Sequence, residues 1–268
     1  MITSESNSQI KEIVRLQKSA KERRKQKLFV AEGIKLVKEA ALYSRLQKVY
    51  IAESAWEKGI GEPSILECRY EVVADKVFAS MSGTVTPQGM LGLVQMPSYG
   101  LETILNNPKK SILLLDNLRD PGNLGTIMRT AEGAGMSGVI LSRESVDLFN
   151  PKVVRSTMGA IFRVPFYYAE DLAETIETLK QNQIPVYGAM MQGSIVYDAP
   201  DYRKGAGIVI GSEAGGISEA AAAHLTQAVC IPMEGSLESL NAAVSAAVLM
   251  YEIARQKRKD CVFTGNRI

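Results

Sequence analysis

Three glycine-bearing stretches in the C-terminal half of the chain carry residue types that do chemistry. Ile231-Pro-Met-Glu-Gly-Ser-Leu-Glu-Ser-Leu-Asn241 follows a short apolar run, Val229-Cys230-Ile231, that Pro232 stops, and it leads into a long helical pattern over Ala242–Arg258. That helix is alanine-rich at first and closes on Arg255, Lys257, Arg258 and Lys259, where cations suit a helix C-terminus. A strand end feeding a helix through a Gly/Ser loop is where nucleotide-like ligands sit in open α/β sheets. Upstream, Gly211-Ser-Glu-Ala-Gly-Gly216 joins glycines, which let backbone approach a ligand, to Glu213, a carboxylate able to hold a cationic partner. Further upstream, Asp116-Asn117 and Pro121-Gly-Asn-Leu-Gly125 precede Arg129. Asn123 stands where a helix N-cap belongs, and Arg129 follows within the first two turns. Each also has a purely structural reading: Asn123 as a cap and Arg129 as a surface ion-pair residue.

Other chemistries fit poorly. His224 is the single histidine, which leaves no Ser-His-Asp triad and no His-rich metal site. The three cysteines, Cys68, Cys230 and Cys261, have no metal-ligand spacing, so no metal is expected. A dinucleotide fingerprint and a Walker loop are both missing, which disfavours a nucleotide-dependent oxidoreductase.

The three stretches in this order resemble the signatures of the SpoU family of RNA ribose 2′-O-methyltransferases, the knotted, SPOUT-type enzymes that use S-adenosylmethionine. Asp116-Asn117, Pro121–Gly125 and Arg129-Thr130-Ala131 match the first signature, Gly211–Gly216 the second, and Ile231-Pro-Met233 with Ser239-Leu-Asn241 the third. Ala214 departs from the pattern, where many relatives carry glycine. The resemblance implies a mostly parallel α/β methyltransferase domain with a trefoil knot, acting as a homodimer on RNA. It implies catalytic roles for Arg129, Asn123, Glu213, Ser239 and Asn241, and a cofactor held near Gly211, Ile231, Met233 and Leu240. A guanidinium keeps its proton near neutral pH, so Arg129 is read as a charge that gathers phosphate and stabilises a developing alkoxide, not as a base. A non-catalytic RNA-binding relative is the rival, and the intact residue set argues against it.

The elements that must position these residues are legible in outline. With 268 residues, a net charge of +2 and ample apolar content, the chain allows one large domain or two modest ones. No stretch is long enough to span a membrane, and odd, unpatterned cysteines point to a reducing cytoplasm. Residues 1–27 read as a basic helix or arm, in which Lys11, Arg15, Arg23, Arg24 and Lys25 are candidate phosphate contacts. Residues 28–97 alternate short strands and helices as a smaller α/β domain. Helices are expected at Ile34–Leu42 and Asp75–Met81, with strands at Leu28–Ala31, Gln47–Ala52, Tyr70–Ala74 and Leu91–Gln95. Phe29-Val-Ala-Glu-Gly33 and Thr86-Pro-Gln-Gly89 resemble the ribosomal-protein-like substrate-binding domain that precedes many SpoU catalytic domains. That domain ranks large-subunit ribosomal RNA ahead of transfer RNA as substrate. Residues 98–108 read as a Pro/Asn-rich linker, and 109–268 as the methyltransferase domain. Within it, strands are expected at Ser111–Asp116, Gly138–Ser142, Ile161–Tyr167, Pro185–Ala189 and Gly207–Gly211, with a helix over Asp171–Gln181.

Overall fold

The computed structural model describes residues 1–43, 45–60 and 68–258; Cys261 and Lys259 lie outside them. The chain divides into two compact units. The first comprises Met1–Tyr99 together with Asp120–Arg129 and Val146–Arg163, and the second comprises Gly100–Arg119, Thr130–Ser145 and the chain from Val164 onward.

The first unit opens with helices α1 (Ser8–Lys18) and α2 (Ala20–Gln26). These are one helical pattern cut at Ser19, whose extended backbone ends α1 while its hydroxyl accepts the Glu22 N–H at 3.2 Å to start α2. Then come β1 (Leu28–Glu32), α3 (Ile34–Leu42), β2 (Leu46–Ala52), α4 (Glu53–Glu57), β3 (Arg69–Val73), α5 (Asp75–Met81) and β4 (Met90–Gln95). The strands form a sheet in the order β1-β4-β2-β3, with β4 antiparallel to both neighbours and β3 parallel to β2. Ile10, Ile13 and Leu16 recur at helical spacing and are fully buried with Val37, Tyr50, Phe78 and Leu91. Residues 1–27 are therefore no free arm. Their apolar stripe is part of this core, because a helix with such a stripe is stable only when the stripe is covered.

In the second unit α6 (Leu101–Leu105) precedes β5 (Ser111–Leu115); α7 (Pro121–Gly133), whose residues to Arg129 belong to the first unit, leads to β6 (Gly138–Ser142) of the second. After α8 (Pro151–Ser156) of the first unit come β7 (Phe166–Ala169), α9 (Leu172–Gln181), β8 (Val186–Ala189) and the short β9 (Ser194–Val196). The chain then forms β10 (Ala206–Ile210), α10 (Glu219–Ala222), β11 (Gln227–Cys230) and α11 (Ala242–Lys257). The sheet runs β7-β6-β5-β10-β8-β11-β9 with every pairing parallel. β5, β6 and β10 are buried at every position, as continuous apolar runs covered on both faces should be.

Two expectations need correction. The stretch read as a linker contains α6, whose Ile104 is fully buried in the core of the second unit beside Ile112 and Ile140. The strand expected over Ile161–Tyr167 begins only at Phe166, and Ala160–Phe162 forms a 3-10 turn. A short apolar run does not distinguish a buried turn from a strand, and Pro165 interrupts it.

Candidate active site

The first signature sits at the end of β5 and the start of α7. Asp120 caps α7: its Oδ1 accepts the Asn123 N–H at 2.7 Å, and Pro121 occupies the first turn, where its missing N–H costs nothing. Asn123 is thus inside the first turn and not its cap. Gly125 is required by a close approach, since a Cβ there would lie 2.3 Å from Ser156 Cβ and 3.0 Å from the Val153 carbonyl oxygen of α8. Arg129 lies further along α7, exposed, with no ion pair among the described residues. Asn123 and Arg129 both belong to the first unit, whereas Glu213, Ser239 and Asn241 belong to the second.

Asp116 holds a positioning role within the fold that the sequence did not reveal. It is only 2% exposed. Its Oδ2 accepts the Ser218 N–H at 2.7 Å and its Oδ1 accepts Asn117 Nδ2 at 3.0 Å. Ser218 is the N-cap of α10 and follows the second signature directly, so a buried carboxylate from the first signature anchors the second. The second signature closes on itself through two backbone bonds: Ser212 N–H to Gly216 O at 2.9 Å and Gly216 N–H to Ser212 O at 3.0 Å. A Cβ on Gly211 would stand 2.0 Å from the Gly216 carbonyl carbon, so only glycine lets this loop close. Glu213 is exposed at its tip.

The third signature builds a cleft beyond the C-terminal ends of β8 and β11. Its walls include Met190 and Met191 after β8, Ile231 and Met233 after β11, and Ser239 and Leu240 from the loop before α11. Three of the four predicted cofactor residues, Ile231, Met233 and Leu240, come together here with Ser239; Gly211 is not part of the lining. Among the described residues, Ile231, Met233 and Leu240 engage their peptide groups in no hydrogen bond, which leaves those donors and acceptors for a ligand. Asn241 N-caps α11, its Oδ1 accepting the Ala243 N–H at 2.9 Å. Apolar side chains with unused peptide groups between them suit the flat, edge-polar adenine of S-adenosylmethionine, and in that respect the cleft fits the cofactor.

The candidate phosphate contacts divide. Lys11, Arg15, Arg24 and Lys25 are exposed. Arg23 is not: its side chain is 4% exposed and pairs with Asp147 at 2.5 Å, and its Nη1 donates to the Leu16 carbonyl. It faces the core side of α2 and is a structural residue, not a phosphate contact. In the same unit Glu32 of the Phe29–Gly33 motif is buried and organises the loop after α5. Its carboxylate accepts Thr84 Oγ1 at 2.7 Å, the Gly83 N–H at 3.0 Å and Arg155 Nη1 at 3.4 Å.

Residues 110–251 match the model of the SpoU rRNA methylase family. The chain belongs to that family. Residues 7–92 match an MRM3-like substrate-binding domain, which agrees with the placement of the basic helices inside the first unit. A 23S rRNA (guanosine(2553)-2′-O)-methyltransferase, RlmP, of Bacillus subtilis is 32% identical over 94% of this chain and 98% of its own. An RNA 2′-O ribose methyltransferase structure superposes with a TM-score of 0.80 at 31% identity, covering 96% of this chain and 98% of that one. The structure of an AdoMet-bound rRNA methyltransferase from Sinorhizobium meliloti gives 0.81 at 28% identity over 96% and 98% of the two chains. Membership in this SpoU family removes the oxidoreductase reading.

Proposed function

We propose that this SpoU family methyltransferase transfers a methyl group from S-adenosylmethionine to a ribose 2′-hydroxyl of 23S ribosomal RNA. The cleft that Ile231, Met233, Ser239 and Leu240 form at the ends of β8 and β11 carries this reading. When bound, S-adenosylmethionine supplies a methyl carbon already activated by its sulfonium. The protein's own task is therefore alignment and charge management. Ile231, Met233 and Leu240 would hold the cofactor, the unused peptide groups by hydrogen bonds and the side chains by apolar contact. Arg129, exposed on α7, gathers an RNA phosphate and stabilises the oxygen as its proton leaves to a phosphate oxygen or water. Asn123 serves the RNA beside Arg129 on α7, and Glu213, Ser239 and Asn241 orient the ribose. No metal takes part.

The first unit grips RNA, and Lys11, Arg15, Arg24 and Lys25 supply phosphate contacts that release counterions without reading sequence. The strand order supports the family's knot: β10 enters between β5 and β8, β11 lies beyond β8, and α11 returns to pack on β10. Exposed Val244 and Tyr251, two turns apart on α11, support association of two copies through that helix. No helix among the described residues is long and apolar enough to cross a membrane. A ribosomal RNA substrate supports a cytoplasmic location.

The test is a comparison of 2′-O-methyls in RNA from cells with and without the protein, paired with tritium transfer from S-adenosylmethionine to purified RNA. A mark missing from 23S rRNA is expected. A mark lost from transfer RNA alone moves the substrate, and no lost mark with no transfer removes the activity.

A further inference from the structure

The cleft's lining is uncharged except at one residue. Besides the methionines, Ile231, Leu240, Ser239 and Ser245, it contains Glu238. Glu238 makes no hydrogen bond and no ion pair among the described residues, and no lysine or arginine shares the lining to neutralise it. Carboxylates elsewhere in the second unit are differently placed. Two of these, Asp116 and Glu252, are tied to Ser218 and Arg255, and Glu219 and Glu234 are exposed but lie outside the lining. Glu238 is exposed, so its unpartnered charge acts on whatever charge a ligand brings through an attraction that solvent and salt screen in part.

Resting on the cofactor assignment above, we infer that Glu238 makes the cleft select by ligand charge, favouring cationic S-adenosylmethionine over the neutral S-adenosylhomocysteine left after transfer. At neutral pH the cofactor carries a sulfonium, an ammonium and a carboxylate, a net single positive charge. Transfer moves the methyl to the ribose oxygen, the bonding pair stays on sulfur, and the sulfonium becomes a neutral thioether. The two molecules are otherwise nearly the same shape, so apolar walls and peptide groups bind them alike. A fixed carboxylate does not. Glu238 thereby holds the reactant and loosens its grip once the charge is gone, which assists product clearance.

The experiment is calorimetric titration of wild-type full-length protein and Glu238→Gln with each ligand, without RNA, at low and high salt. Glu238→Gln is expected to weaken S-adenosylmethionine about three- to tenfold while leaving S-adenosylhomocysteine within about twofold, as a partly solvated charge pair implies. The difference should shrink as salt rises. Glu234→Gln removes a charge from the same exposed loop but outside the lining, and should leave the ratio unchanged. Equal weakening of both ligands, or no change in either, overturns the inference. Failure of the wild-type protein to bind either ligand overturns the cofactor assignment beneath it.

Discussion

The carboxylate of Asp116 accepts the backbone N–H of Ser218 at 2.7 Å, fixing the end of β5 to the residue that caps α10. The bond holds the exit of the Gly211–Gly216 loop in place from a buried position, so the loop's shape depends on a residue far away in sequence. Asp116→Ala leaves the Ser218 N–H without that partner and is expected to cost about 1.5–3 kcal/mol, the range for a hydrogen bond to a charged group. Urea denaturation measures it. A loss below about 0.5 kcal/mol, the scatter of ordinary surface changes, would show that the loop holds its shape without this tie.

Adjacent arginines on α2 should behave oppositely. Arg23 is buried against Asp147 and Arg24 is exposed. Arg23→Ala strands the largely covered carboxylate of Asp147 and is expected to destabilise the protein by about 3 kcal/mol. Arg24→Ala should leave stability within about 0.5 kcal/mol while reducing the log–log salt slope of RNA binding by roughly 0.7 to 0.9. Thermal melts and RNA affinities at several salt concentrations separate the two. Matching behaviour of the pair would refute the division.

Removing residues 1–100 gives a related test. Within the first unit Phe29 packs on Phe149 and Phe162, with ring centroids 5.0 and 6.1 Å apart, and Glu39 pairs with Arg163. The truncation strips these partners from segments the chain retains. It should therefore yield an aggregating or partly unfolded protein, although the family signatures all lie beyond the cut. A monodisperse product with wild-type cofactor affinity would contradict this.

Much of this was readable from local pattern. Ile34–Leu42, Asp75–Met81 and Gly138–Ser142 fall at the expected bounds because apolar periodicity, a preceding glycine or a short continuous apolar run marks them. The third signature's residues gather at one cleft because a strand end, a loop and a helix start are contiguous in sequence. Long-range partners left no such trace. Nothing near Asp116 names Ser218, and nothing near Arg23 names Asp147. Arg23 and Arg24 differ only in which face of a short helix they occupy, and Ser19 resets that phase by starting a new helix. The Ser19-x-x-Glu22 spacing was the available signal. α6 hid in a Pro- and Asn-rich stretch because one buried residue, Ile104, holds it.

Acid should act through α11. Glu252 is held below the ordinary carboxylate value of 4.5, chiefly by hydrogen bonds from Arg255, at 2.7 and 2.8 Å, and further by Gln256. Burial opposes this without prevailing. Because the folded-state value is the lower one, this stabilisation is fully present above 4.5 and is lost as pH falls through the folded value. Glu252→Gln should be less stable than wild type at pH near 7, with the gap closing as the medium is acidified below about 4.5. Melting temperatures of both proteins across that range decide it, and a gap that stays constant with pH would assign the effect to packing.

Arg129 provides the sharpest division between cofactor and substrate. It is exposed on α7, is not among the residues lining the cleft, and forms no ion pair among the described residues. An exposed, unpaired guanidinium contributes little to folding, so Arg129→Ala should melt within experimental scatter of wild type. Cofactor affinity should also be unchanged, because the cleft is built from Met190, Ile231, Met233 and Leu240 with no arginine. The loss should fall on transfer itself, by about 10²–10³-fold, as when a donor to a developing oxyanion is removed. Arg129→Lys keeps the charge but not the forked donors, so it should recover only part of that loss. Titration with S-adenosylmethionine and tritium transfer to RNA on one preparation read both quantities. Near-wild-type transfer by Arg129→Ala would remove Arg129 from the reaction, and a parallel fall in cofactor affinity would move it to the cofactor side.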